Sequence, residues 1–165
     1  ACRRMTGASR NSQFIKAPPD KVYAAFMDPA ALLAWLPPGG MTGHIHDFDA
    51  RAGGGYRMSL FYPQDEKTMH GKTAEKEDMV SVRFIELHPS RRILEAVNFH
   101  SADPALTGEM RIEIHFDPVR DGTKVTFVCT DIPPGIKPED NETGTRQSLE
   151  QLAHYVEAEG SDHSG

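Results

Sequence analysis

The sequence predicts an α+β domain: a curved antiparallel sheet of about six or seven strands, two short N-terminal helices, and one long C-terminal helix packed over the sheet. Three observations predict it. A single long segment near the end has helical periodicity, two short helices with proline in their first turns lie near the start, and alternating apolar and polar residues between them are broken by Gly, Pro and Asp turns. A helix laid over a curved sheet can leave a cavity between the two layers, and that cavity is the functional expectation.

Residues 1–12 are polar, Arg-rich and without a period, so they read as a flexible arm; residues 13–160 form one domain, and 161–165 a flexible tail. Gln13 to Lys16 is short enough for an edge strand. Ala17-Pro18-Pro19-Asp20 opens a helix, since proline is tolerated in a first turn, and Val22 and Phe26 give it an apolar face. Asp28 as N-cap and Pro29 as N1 start a second helix that runs to Trp35, and Pro37-Pro38-Gly39-Gly40 ends the pair.

Strands follow over Met41 to Arg51 and Gly55 to Tyr62, joined across Ala52-Gly53-Gly54. Tyr56, Met58, Leu60 and Tyr62 share one face of the second, while Arg57 and Ser59 share the other. Asp78 to His88 carries Val80, Val82 and Phe84 on one face, and Arg92 to His100 carries Ile93, Glu95, Val97 and Phe99. Leu106 to Asp117 alternates most cleanly, with Met110, Ile112, Ile114 and Phe116 against Glu109, Arg111, Glu113 and His115. Asp121-Gly122 turns into Lys124 to Asp131. The long helix, Pro138 to Glu159, places Leu149, Leu152, Ala153 and Val156 on one stripe, with Gly160 as its stop.

Composition narrows the function. With 18 basic and 24 acidic residues the formal charge is −6, which argues against nucleic acid as a partner. No stretch is apolar for long enough to insert in a bilayer and the start lacks a signal-peptide run, so a cytoplasmic location is expected. The two cysteines, Cys2 and Cys129, are expected as reduced thiols.

Among chemistry-bearing residues, His44 and His46 could ligate zinc if His70 or His100 approached, but no recognisable ligand spacing completes the set; neither metal nor cofactor is expected. Glu95 is the candidate catalytic group, because its same-face neighbours are apolar and a carboxyl in such surroundings can act as acid or base. Pairing with Arg57, Arg83 or Arg111 is the more expected fate, since buried acids without partners are rare. Asp47 and Asp49 invite the same two readings. Ala52-Gly53-Gly54-Gly55 is a hairpin connection and not a phosphate cradle, because no helix follows it. The candidate ligand-binding wall comprises Trp35, Met58, Leu60, Tyr62, Phe84 and Glu95, continuing with Phe99, Met110, Leu149 and Leu152. Tyr56, Phe127 and Tyr155 are further aromatics able to line a pocket or fill a core.

Several segments in this order resemble one family: Ala17-Pro18-Pro19-Asp20-Lys21-Val22-Tyr23-Ala24-Ala25-Phe26 with Asp28-Pro29 and Trp35; Asp49-Ala50-Arg51-Ala52-Gly53-Gly54; Phe84-Ile85-Glu86-Leu87-His88-Pro89 before Arg92-Ile93; Gly122-Thr123-Lys124-Val125; and Gln147-Ser148-Leu149-Glu150-Gln151-Leu152-Ala153. The chain resembles the START-like, helix-grip superfamily and, within it, the group named for the activator of the Hsp90 ATPase. The resemblance implies a hydrophobic cavity between the long helix and the sheet, occupied by a small lipid-, polyketide- or aromatic-like molecule. It leaves a cyclase, dehydratase or hydrolase as the alternative. A chaperone-stimulating role ranks third, because it draws on an additional domain for which this chain has no room. A homodimer is common among such relatives and is not readable from this chain. Two departures fall where the family's cavity is bordered: Gly144-Thr145 stands for the usual Gly-Trp, and Ala96-Val97 for Thr-Trp.

Overall fold

The computed structural model describes residues 7–37, 41–61, 77–100 and 108–163. Among these residues seven strands form one antiparallel sheet: β1 (Gly7–Ile15), β2 (Thr42–Asp49), β3 (Gly55–Phe61), β4 (Glu77–His88), β5 (Arg92–His100), β6 (Glu109–Val119) and β7 (Gly122–Ile132), in the order β1-β7-β6-β5-β4-β3-β2. Helices α1 (Pro19–Ala24) and α2 (Pro29–Trp35) lie between β1 and β2, and α3 (Pro138–His163) closes the chain. The α+β fold expected above is the one observed.

The two short helices start where local chemistry says they should. Pro19 occupies the first turn of α1, and the Asp28 carboxylate accepts from the Ala30 N–H at 3.0 Å, capping α2. At its other end α2 is finished by a different helix. The Ser148 hydroxyl donates to the Leu36 carbonyl at 2.7 Å, and the Gln151 amide donates to the carbonyls of Trp35 and Pro37 at 2.7 and 2.9 Å. These carbonyls would otherwise be left without partners at the helix end. Replacing Gln151 with Leu is expected to lower stability by about 2 kcal/mol, because two acceptors lose their donor. Urea unfolding followed by the emission of Trp35, the single tryptophan, checks it; an unchanged midpoint would refute the cap.

The sheet is bent by irregularities in pairing between Ile45 and Asp47 and between Phe84 and Glu86. The second is pinned by the β2–β3 connection: the Gly53 N–H donates to the Phe84 carbonyl at 2.8 Å, and the Phe84 N–H to the Gly54 carbonyl at 2.9 Å. Gly53 has φ of 91°, a conformation that favours glycine.

Two boundaries differ most from expectation. The first strand begins at Gly7, inside the stretch expected as a flexible arm. Its helix-facing residues are polar, with the Ser9 hydroxyl on Asn141 Oδ1 at 2.5 Å and the Asn11 amide on the Glu142 carbonyl at 3.3 Å, so neither face shows an apolar period. The last helix continues through Gly160 to His163, because a glycine inside a helix costs only about 1 kcal/mol and does not end it by itself. Its stripe of Leu149, Leu152, Ala153 and Val156 is buried as predicted. The core joins it to Trp35, Phe26, Ile15 and the concave face of the sheet.

Candidate functional site

A cavity of about 300 Å³ lies between α3, α2 and the concave face of the sheet. Strand pairing builds its floor in rows. Met58, Val80 and Phe99 stand side by side across β3, β4 and β5; Tyr56, Val82, Val97 and Met110 form the next row. The third row is Phe84, Glu95, Ile112 and Cys129, ending beside Ser9 of β1. Ile114 and Phe127 close the floor, and Phe26, Leu32, Trp35 and Leu36 wall one side.

The roof is the first half of α3, where Asn141, Gly144, Thr145 and Ser148 fall at i, i+3, i+4 and i+7 and so share one face. All four are small or polar. Farther along the same helix the inward residues are Leu149, Leu152 and Val156, which fill the core. Space is left where the roof residues are short, and none where they are bulky. A Cβ added at Gly144 meets no atom within 4 Å.

Glu95 sits in the middle of the floor, 7% exposed, between Ile93 and Val97 along its strand and Phe84 and Ile112 across it. Its carboxyl has no hydrogen bond or ion pair among the described residues. Burial among apolar neighbours pushes its pKa from 4.5 up to about 8. The expected pairing with Arg57, Arg83 or Arg111 does not form. Arg83 and Arg111 flank Ala96 in the register, and side chains alternate along a strand, so both arginines project from the opposite face. There Arg83 meets Glu109 at 3.2 Å, and Arg57 meets Asp47 at 2.7 Å.

Two other titratable groups share the cavity. Tyr56 is driven well above its usual value by burial and then by the Glu95 charge. Burial also pushes the Cys129 thiol up, against hydrogen bonds with Ser9 and Thr145, and Cys129 is a free thiol. Tyr56 is therefore a hydrogen-bond donor and Cys129 a neutral thiol near neutral pH.

Of the residues predicted for the wall, Trp35, Met58, Leu60, Glu95, Phe99 and Met110 line the cavity. Phe84 stands behind it, with its ring centroid 5.8 Å from that of Tyr56, which also stacks on Phe48 at 5.5 Å. Leu149 and Leu152 are fully buried in the core beyond the cavity. Tyr62 and His70 lie outside the described residues. Gly144, Thr145 and Val97, singled out as departures from the family pattern, all reach the cavity, whereas Ala96 does not. Among the polar lining residues, Asn141 and Ser148 were not anticipated, and their signal is the helical spacing from Gly144 and Thr145; Leu32, Leu36 and Ile136 also line the cavity unforeseen.

Asp47 and Asp49 lie outside the cavity in exposed pairs with Arg57 and Arg51. The His44 and His46 rings are 4.9 Å apart, His46 bonds Ser59 at 2.7 Å, and His100 bonds Ser81 at 2.6 Å. Among the described residues no group of three His, Cys, Asp or Glu could hold a metal, and no helix is long and apolar enough to cross a membrane.

The model of the family described as Activator of Hsp90 ATPase homolog 1-like protein matches residues 16–157. A solved protein from Chromobacterium violaceum is 36% identical, with a TM-score of 0.80 over 92% of this chain and 97% of its own. A Rhizobium loti protein, 24% identical, has a TM-score of 0.72 over 92% of this chain and 97% of its own. An Arthrobacter aurescens protein, 15% identical, has a TM-score of 0.74 over 90% of this chain and 85% of its own. These last two speak to the fold alone. No curated protein matches the chain.

Proposed function

The chain belongs to the Activator of Hsp90 ATPase homolog 1-like family, and from that premise we propose that it binds a small, largely apolar molecule, of lipid-, polyketide- or aromatic-like character, between α3 and the sheet. The cavity carries the reading. Its walls are apolar apart from a few convergent polar groups, Glu95, Tyr56, Asn141, Thr145 and Ser148, which is the usual form of a small-molecule site. Its volume of about 300 Å³ suits a compact ligand of one or two rings, or a short chain, better than a two-chain lipid. Burying about 200 Å² of such a ligand's apolar surface contributes roughly 5 kcal/mol, to which the polar groups add and from which ordering costs subtract.

Trp35 lies on the wall and is the chain's single tryptophan, so its emission reports occupancy. Titration with decanol, which is neutral and does not absorb with tryptophan, is expected to give a saturable change at one equivalent. A linear, unsaturable response would count against the cavity as a binding site.

One observation favours a second reading, an enzyme of the cyclase or hydrolase kind. A carboxyl with its pKa near 8, open to the cavity, can give a proton to a bound carbonyl or take one from an adjacent carbon. Any turnover that survives Glu95→Gln unchanged would remove Glu95 from that role.

A further inference from the structure

Glu95 presents an unpartnered carboxyl, more than nine-tenths buried, to a cavity whose described lining contains no Lys, Arg or His. The arginines nearest along the strands, Arg83 and Arg111, are on the far face of the sheet. Around the cavity stand the rings of Phe26, Trp35, Tyr56, Phe99 and Phe127. Aromatic faces carry negative potential and attract cations, and one carboxylate adds to that field.

These features discriminate among ligand charges. An anionic ligand, such as a fatty acid carboxylate, would lose its hydration and face Glu95 with no basic group to receive it. A neutral ligand can share one hydrogen bond with the protonated carboxyl. An ammonium group offers more, because it forms charge-assisted hydrogen bonds with a carboxylate that no described protein group satisfies, while aromatic residues line the space left for the remainder of the molecule. We propose that the cavity selects a compact aromatic or alicyclic amine, with the ammonium on the Glu95 carboxylate and the hydrocarbon frame among the rings and the side chains of Met58 and Met110. The inference rests on the cavity-binding reading above and adds the charge of the ligand to it.

A proton accompanies such binding. At pH 7 the empty site holds Glu95 mostly protonated, and an amine arriving as a cation draws out the carboxylate, so close to one proton is released per ligand. Affinity for the amine therefore rises as pH approaches 8 and falls once the amine itself deprotonates. The other titratable groups facing Glu95 are Tyr56 from β3 and Cys129 from β7. Both are shifted upward, so neither supplies the proton in this range. The groups facing it from α2 and the first half of α3 are uncharged.

Three probes with one frame test the proposal: α-naphthylmethylamine, α-naphthylmethanol and α-naphthoate. Calorimetry at pH 7 in buffers of different ionisation enthalpy measures affinity and proton release together. The amine is expected to bind at least about tenfold more tightly than the alcohol, with near-stoichiometric proton release, while the naphthoate does not bind. Glu95→Gln should abolish the proton release and remove the preference for amine, bringing the amine and alcohol affinities within about threefold of each other. Retained alcohol binding also shows that the variant is folded, and proton release in the wild-type protein carries the test even if it is not. Alcohol binding as tightly as amine, or amine binding without proton release, overturns the charge assignment and leaves the cavity reading intact. Failure of all three probes and of decanol overturns both.

Discussion

Glu95→Gln stabilises the folded protein at pH 8 and above by several kcal/mol and leaves its stability below about pH 4.5 nearly unchanged. The folded carboxyl titrates at about 8 and an unperturbed one at 4.5, so between those values the folded chain holds a proton that the unfolded chain has released. Stability from this group is fully present below 4.5 and is lost as pH rises through 8. At ~1.36 kcal/mol per pH unit the interval corresponds to roughly 4–5 kcal/mol, an upper figure for a carboxyl that opens on a cavity. Glutamine keeps the shape and cannot ionise, so its advantage over the wild type should grow steadily through this window. Glu86 and Glu113 are shifted the other way by hydrogen bonds from His88 and His115 and by Arg92, and Glu109 by hydrogen bonds from Asn98 and Arg83, so their contribution is lost on the acid side. Urea unfolding from about pH 5 to pH 9 measures the difference, and parallel curves for the two proteins would show that Glu95 is not held neutral by the fold.

Gly144→Leu is expected to make the protein more stable and unable to take up ligand. Glycine within a helix costs about 1 kcal/mol relative to a good helix former. The position lies on the roof of the cavity, and a Cβ there meets only open space. A leucine would extend into the volume a ligand needs and bury its own apolar surface in doing so. The expected outcome is a gain of about 1–2 kcal/mol in urea unfolding with at least a tenfold loss of decanol affinity. A loss of stability would mean that the roof is already filled; unchanged affinity would mean that ligands bind elsewhere.

How much of this was legible in the sequence depends on whether the cause was local. The Asp28 cap and Pro29, the alternation of Met110 to Phe116, and the stripe from Leu149 to Val156 are short-range patterns, and each element appears where those patterns place it. Glu95 was also found locally, from its neighbours two residues away. Its missing partner was legible only in part: alternation already sets Arg83 and Arg111 opposite the apolar residues of their own strands, and the register of β4, β5 and β6, which places both beside Ala96, completes the separation from Glu95. The end of α3 that roofs the cavity was misjudged for a related reason. Helical periodicity identifies the inward face along the whole length, whereas the curvature of the sheet decides which part of that face meets space. The bulky residues, Leu149 and Leu152, looked like a wall, while the small ones, Asn141, Gly144, Thr145 and Ser148, form it. The edge strand is legible at Gln13, but its first half, residues 7–12, stayed hidden because the inward residues Ser9 and Asn11 bind the polar start of the same helix.

The proposed binding role requires that the cavity beneath α3 hold a small molecule. Native mass spectrometry of the wild-type protein and Gly144→Leu, both purified gently from cell extract, tests it most directly. A stoichiometric adduct of a few hundred daltons is expected on the wild-type protein and none on the variant. A bare mass for the wild type, or the same adduct on both proteins, would contradict it.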